Sequence, residues 1–422
     1  MAYRNTLLQN NVHVDSVNGN DVSAVKYNIL HSYKTINAAK LAANSGDVII
    51  VLPGNYTENV NLYKDGITYY FYPEAIVTAA SAGPIFTSLI PSETCKVYGK
   101  GCFLNNGSGG VARMNISSTL YMEFDDLAGS SNPIQIGDGF MQLIGDNISS
   151  VNNAAVNFID STISGNSLYI KANNIYNLTA NGFNHVINIL TRGAGYKGTV
   201  KIYANEIIGS PNSGNSAIAL SNQNAVLETL IQITANKISG SGIGGNPIVD
   251  CFDGRNTKYI VNANVVATAS RPAFRTFTTQ TGIECICNGN MDAVDVPAIS
   301  LSGAGEVMRF NGKIISNSVA QTVLSSGSTS KVYLNGTIIN TADGAVGITK
   351  GSAAPSNEII ISNLKIVTFA GLSISAAGGD TVKVVHSLSA NNDSSPVMPT
   401  INSINPAGVA NRSVAYFDAG VE

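Results

Sequence analysis

One short pattern recurs along this chain, and its recurrence constrains the fold more than any other feature. A run of alternating apolar residues reaches Asn, passes one residue and turns apolar again, as in IKANNIY, IYANEII, ITANKIS, VNANVVA, CICNGNM, MRFNGKI, VYLNGTI and IISNLKI. The Asn positions are Asn173, Asn205, Asn236, Asn264, Asn288, Asn311, Asn335 and Asn363, with successive spacings of 32, 31, 28, 24, 23, 24 and 28 residues. Lys100 in VYGKGCF, Asp125 in EFDDLAG and Asp146 in LIGDNIS hold the same place upstream, and His386 in KVVHSLS holds it downstream.

Such steps are too short for a propeller blade of about 40 residues. Leucine-rich repeats have a similar period, but the chain lacks their multiple Leu positions. The steps suit a solenoid coil of three short strands and three turns, one turn absorbing the variation because surface turns accept insertions cheaply. Alternation puts every second residue inside the coil, and coils stacked at about 4.8 Å pair as parallel strands. Asn tolerates the left-handed conformation of a sharp corner, and in register its amide can bond up the stack as a ladder. About 12 coils would make a rod roughly 55–60 Å long. The competing arrangement is a β-sandwich, because Asn-Gly at Asn288, Asn311 and Asn335 is a hairpin signal elsewhere. Here each falls at one phase of the period, which alternating hairpins would not do.

Composition narrows the function classes. Charged residues are 12% and the net charge is −3. No basic cluster offers a face to phosphates, so no nucleic-acid partner is expected. No apolar run of about 18 residues is present to span a membrane. The opening MAYRNTLLQNN lacks the apolar core of a secretory signal, so synthesis and folding in a cytoplasm are expected. The five cysteines, Cys95, Cys102, Cys251, Cys285 and Cys287, form no CxxC pair, disulfide framework or zinc site. Cys285 and Cys287 lie two apart on a strand, hence on one face, as small core residues.

The ends differ from the middle. HSYKTINAAKLAANSG, His31 to Gly46, reads as a helix with Ile36, Ala39, Leu41 and Ala43 as its apolar face and Gly46 as its stop. Laid over the first coil it would cap the raw strand edges that a solenoid exposes. The run from VHVDSVNGND through YKTINAAKLAA to GDVIIVLPGNYTENVNL, about residues 12–62, resembles the opening of pectin-lyase-like right-handed β-helix proteins. Those share a short strand, a capping helix and a "GD-x-I-x-V-x-PG-x-Y-x-E" turn. The resemblance implies an all-β, single-stranded, right-handed parallel β-helix. It does not imply one chemistry, since the superfamily includes lyases, hydrolases, phage tailspikes, virion fibres and adhesins. The expected division is 1–46 for the strand and capping helix, 47–386 for the β-helix, and 387–422 for a Pro-containing cap or oligomerisation tail.

The search for a site gives weak candidates. Family enzymes of the polygalacturonase type use clustered Asp with Gly-His-Gly-like and Arg-x-Lys elements, and here only Asp125-Asp126 resembles the acid pair. Pectate lyases use an Arg near calcium-binding Asp residues. Arg192, Arg255, Arg271, Arg275 and Arg309 show no matching Asp cluster. Two carboxylates about 5–9.5 Å apart suffice for glycoside hydrolysis. Asp125 and Asp146, at equivalent turns of successive coils, could meet that spacing, with Asp126, Asp160 and Glu206 as looser candidates. The competing reading is that a turn Asp replaces a turn Asn as a hydrogen-bonding corner. Gly240, Gly242 and Gly245 match G-x-G-x-x-G, but no helix follows, so they read as a turn. His13, His31, His185 and His386 have no metal-ligand spacing, and neither metal nor cofactor is expected. On one strand Tyr69 and Phe71 share one face and Tyr70 and Tyr72 the other. One pair belongs to the core and the other is a candidate binding or subunit surface.

Together these readings lead to an expected virion structural or attachment protein, a phage spike or fibre. By its resemblance to phage spikes it would be homotrimeric; it would contact other virion proteins and cell-surface polysaccharide, and no complete catalytic constellation argues for an enzyme. The alternatives are a polysaccharide depolymerase, either glycoside hydrolase or lyase, and an exported bacterial surface adhesin.

Overall fold

The computed structural model describes residues 10–61, 66–88, 94–105, 110–114, 118–136, 139–151, 153–160, 167–177, 185–191, 198–209, 216–222, 229–240, 248–254, 257–267, 271–277, 283–301, 306–319, 321–325, 331–343, 346–350, 358–369, 374–376, 381–384, 387–391 and 415–416. Asp160, Asn363 and the residues beyond it lie in or among segments whose side chains are outside that description, as do Arg192, Arg255, Gly242, Gly245 and His386. Two compact units emerge: 1–179 with 186–188 and 198–205, and 180–185 with 189–197 and 206–422.

The first unit is a parallel β-helix of three-armed coils. Thr94–Gly99 makes one arm, Cys102–Asn105 a second across a corner, and Ala112–Met114 the third. The next coil repeats the order, its first two arms joined in the one strand Thr119–Gly129, followed by Ile134–Ile136. Thr119–Gly129 pairs in parallel with both earlier arms and with Phe140–Ser150. All strand pairings among the described residues are parallel, which rules out the sandwich. Alternation sends one column inward: Ile49, Tyr69, Val97, Met122, Leu143 and Ile170 stand in register on successive coils, all buried. Each such side chain contributes on the order of 1.5–3 kcal/mol by leaving water. Phe71, Phe86 and Phe103 close the core edge to face, with ring centroids 5.0–6.1 Å apart.

The second unit is built in the same way. Its inner columns run Ile231, Tyr259, Cys285, Met308, Val332 and Ile233, Val261, Cys287, Phe310, Leu334. Cys285 and Cys287 therefore face the core together, as the alternation predicts. Repetition continues past residue 386, where the tail was expected to begin. Ser387–Asn391 still pairs in parallel with Glu358–Phe369, and Ala415–Tyr416 pairs with Thr381–Val384.

The expected helix is shorter than its sequence signal. A 3-10 turn covers Ile29–His31 and the α-helix is Ile36–Ala42, N-capped by Thr35, whose hydroxyl accepts from Ala38 N–H. Ile36, Ala39 and Ala43 are buried, and the helix packs beside the first two strands, Asn11–Val14 and Val48–Val51. Leu41 does not join them and is 67% exposed. Gly46 is not the helix stop, because Ala43 already closes the last turn onto Ala39. Gly46 instead takes φ +88° in the following turn and donates to Gly66 O. Among the described residues no helix is long and apolar enough to cross a membrane.

Candidate functional site

The corner between the first two arms carries the recurrent Asn, and its geometry corrects the expectation in two ways. First, the left-handed backbone belongs to the glycines: φ is +126° at Gly289, +150° at Gly312 and +124° at Gly336, whereas no Asn has a positive φ among the described residues. A Cβ on Gly312 would stand 1.9 Å from the carbonyl oxygen of Gly289, so successive coils touch backbone to backbone there. Second, the hydrogen-bonded ladder uses partly different residues. Asn262 donates to Thr234 Oγ1 at 3.3 Å, Asn288 to Asn262 at 2.7 Å, Asn311 to Asn288 at 2.8 Å and Asn335 to Asn311 at 3.3 Å. Asn264 lies one step round the corner, donating to the backbone oxygen of Asn236 at 3.0 Å. The pairing register decides this: Asn262, not Asn264, stands opposite Asn288, and on the preceding coil a bulge sets two residues opposite Ala263, with Thr234 paired to Asn262 and Lys237 to Asn264.

In the first unit the ladder is Asp126, Asn147 and Asn174. Asn147 Nδ2 donates to Asp126 Oδ1 at 2.8 Å, and Asn174 Nδ2 to Asn147 Oδ1 at 2.9 Å. Asn173, the residue chosen from the spacing, faces solvent. Asp126 also accepts from the Cys102 thiol at 3.8 Å. Burial and the neighbouring Asp126 carboxylate raise the Cys102 thiol above its ordinary value. Asp126 is thus a corner residue already committed to neighbours on both sides.

Asp125 and Asp146 do come together, through Lys100. Lys100 Nζ lies 3.0 Å from Asp125 Oδ1 and 3.7 Å from Asp146 Oδ2. The three occupy the same turn on three successive coils. These carboxylates raise the ammonium of Lys100 above its ordinary value. The arrangement is an exposed ion triplet in which one cation serves both carboxylates. Glu206 is half-buried on the strand Thr199–Ile208. Of the other named residues, Arg275 forks onto Asp250 at 3.1 and 2.6 Å. Arg309 bonds Glu284 at 2.9 Å and lies 4.2 Å from the Tyr333 ring centroid. His185 shares a 3.1 Å contact with the carbonyl oxygen of Ser216, and burial lowers its imidazole below the ordinary value. Among the described residues no group of three or more His, Cys, Asp or Glu could hold a metal ion.

The tyrosines divide as the alternation predicts. Tyr69 and Phe71 are core, while Tyr70 and Tyr72 are 36% and 42% exposed with their rings 5.4 Å apart, edge to face. They begin a larger outward surface on the first unit that the sequence reading missed. Tyr98 is in register with Tyr70. In the adjoining column Lys96, Tyr121, Gln142 and Tyr169 stand in register on four successive coils. Tyr121 packs on Phe140 at 5.6 Å, and Tyr169 on Tyr203 at 5.6 Å. The signal was present: Tyr98, Tyr121, Tyr169 and Tyr203 each hold an outward position in their strand, but on separate coils.

Compared with known proteins, the chain matches no family model, no curated protein and no solved structure.

Proposed function

We propose that this chain is a virion structural and attachment protein, a spike or fibre. On this reading it works as side-by-side copies and holds surface polysaccharide on the tyrosine-bearing face of its first unit. The observation that carries the reading is the outward column Lys96, Tyr121, Gln142, Tyr169. Aromatic rings with an apolar face and a polar tip suit the flat, hydroxyl-edged surface of a sugar, and an amide between them supplies a donor and an acceptor. Coils about 4.8 Å apart place the two tyrosines roughly 9.6 Å apart along the stack, with Gln142 on the coil between them. The resemblance of the opening segment to β-helix proteins of phage spikes and fibres supports the virion part of the reading.

The depolymerase is the second reading, favoured by the meeting of Asp125 and Asp146 at Lys100. One experiment separates the two. The purified chain is tested against acidic and neutral cell-surface polysaccharides for retention and for release of reducing ends, and its native mass is measured by light scattering. Attachment predicts retention without release, weakened about tenfold or more by Tyr121→Ala or Tyr169→Ala, a loss of ~1.4 kcal/mol or more. It also predicts a trimeric mass. Release that disappears in Asp125→Asn and Asp146→Asn would establish the depolymerase. A monomer that retains no polysaccharide would sink the attachment reading.

A further inference from the structure

The second unit carries three Asn-Gly pairs in one column, Asn288-Gly289, Asn311-Gly312 and Asn335-Gly336, each in register with the next. Asn-Gly is the sequence most prone to lose its side-chain amide. The nitrogen of the following glycine attacks the Asn Cγ, a new C–N bond closes a succinimide, the Cγ–Nδ2 bond breaks, and ammonia leaves with the peptide proton. Water then opens the ring at either carbonyl to give aspartate or isoaspartate. No oxidant or cofactor is needed. The reaction requires that the side-chain amide be free to turn onto the glycine nitrogen, and that the peptide be free to rotate toward it.

The corner opposes both motions. Asn288 donates to Asn262 and accepts from Asn311, and Asn311 donates to Asn288 and accepts from Asn335, so each of these amides is held from two coils. The glycine peptides are pinned as well. A Cβ on Gly289 would stand 2.2 Å from Ala263 O, and one on Gly336 would stand 1.9 Å from Gly312 O, so each glycine lies directly against the backbone of the preceding coil.

Asn335 is held less firmly on two independent counts. Its bond to Asn311 is 3.3 Å, against 2.7 and 2.8 Å for Asn288 and Asn311. The pairing to the next coil also slips at this residue: Leu334 pairs with Ile361 and Gly336 with Leu364, so two residues oppose Asn335. The unbroken backbone register of the column therefore ends at Asn335. We propose that Asn335 is the deamidation site of this column and that the ladder shields Asn288 and Asn311 for as long as the coils are closed. Conversion at Asn335 removes the donor to Asn311 and places a carboxylate opposite its oxygen, so the modification loosens the coil that permitted it.

The test is site-resolved mass spectrometry of the full chain held in mildly alkaline buffer, native and in urea. In urea the three sites should convert at comparable rates. In the native chain Asn335 should convert while Asn288 and Asn311 run about tenfold or more slower, as expected of groups that react only through local opening. Asn311→Ala removes the partner of both neighbours and should speed conversion at Asn288 and Asn335 alike. Equal native rates at the three sites would overturn the proposal. So would an unconverted Asn335 over a period in which the unfolded chain converts fully.

Discussion

The carboxylate of Glu58 accepts the backbone N–H of Ile36 at 2.7 Å, joining the turn after the strand Gly54–Thr57 to the first turn of the capping helix. Its other oxygen accepts from the N–H and the side-chain amide of Asn37, both at 2.9 Å. A single buried carboxylate thus satisfies donors that the helix start leaves open, and its charge lies at the positive end of the helix. Glu58→Gln turns one acceptor into a donor facing N–H groups. The expected cost is about 1–3 kcal/mol, the penalty for a buried polar group left mispaired. Urea denaturation should show a lower midpoint with an unchanged slope. An unchanged midpoint would mean that the cap is held by apolar burial alone.

Asp47 fastens the long loop after the first strand to the rest of the cap. It is buried, bonded to Lys26 at 2.6 Å, to the Tyr27 hydroxyl at 2.9 Å and to Asn44 N–H at 2.6 Å. Burial pushes its carboxyl up, but these donors outweigh burial and hold it below the ordinary carboxylate value. A depressed folded value means that the unfolded chain binds the proton first as pH falls. The stabilisation is therefore present above the unfolded value near 3.8 and is lost as pH drops through the folded value. Wild type should lose more stability between pH 6 and about pH 3 than Asp47→Asn, which has already lost the ion pair. Parallel pH profiles for the two chains would remove Asp47 as the acid-sensitive clasp.

The fold was legible because alternation decides what enters the core. Tyr69 and Phe71 in, Tyr70 and Tyr72 out follows from parity alone, and so does the shared inward face of Cys285 and Cys287. The ladder was legible only to within a residue or two. In IKANNIY two Asn are adjacent, and in VNANVVA two Asn are two apart. Which of them bonds is decided by pairing register: Asn262 stands opposite Asn288 and accepts from it, which the spacing of the Asn residues does not reveal. The meeting of Asp125 with Asp146 was legible from equivalent turns. Lys100, though placed in the same turn, becomes their shared cation only through the reach of its side chain. The tyrosine column was illegible for a related reason: Tyr121 and Tyr169 are two coils apart, and coils of varying length hide which outward residues align.

The corner glycines separate steric contact from backbone strain. Gly312 has φ +150° with its Cβ direction blocked 1.9 Å away by Gly289 O, whereas Gly46 has φ +88° with nothing within 4 Å. Gly46→Ala should cost about 1–2 kcal/mol, the left-handed penalty for an L-residue. Gly312→Ala adds a backbone collision between coils and should cost roughly 3 kcal/mol or more, or prevent folding. Thermal melts of the two variants give the comparison. Equal costs would show that the coils can part at the corner without loss.

The cysteines test closure of the coils from inside. Cys95, Cys251, Cys285 and Cys287 are buried, and Cys102 alone of the five is partly exposed. Burial pushes the thiols of Cys251 and Cys287 well above their ordinary value, with neighbouring Cys285 adding to the effect. Thiolate is the reactive form, so both exclusion and the raised values oppose attack. A maleimide at neutral pH should label at most Cys102 in the native chain, and slowly, because its own thiol is raised beside Asp126. All five should label in urea. Rapid native labelling at Cys285 or Cys287 would mean that the second unit opens on the time scale of the reagent, and its core columns would then not form the closed stack described above.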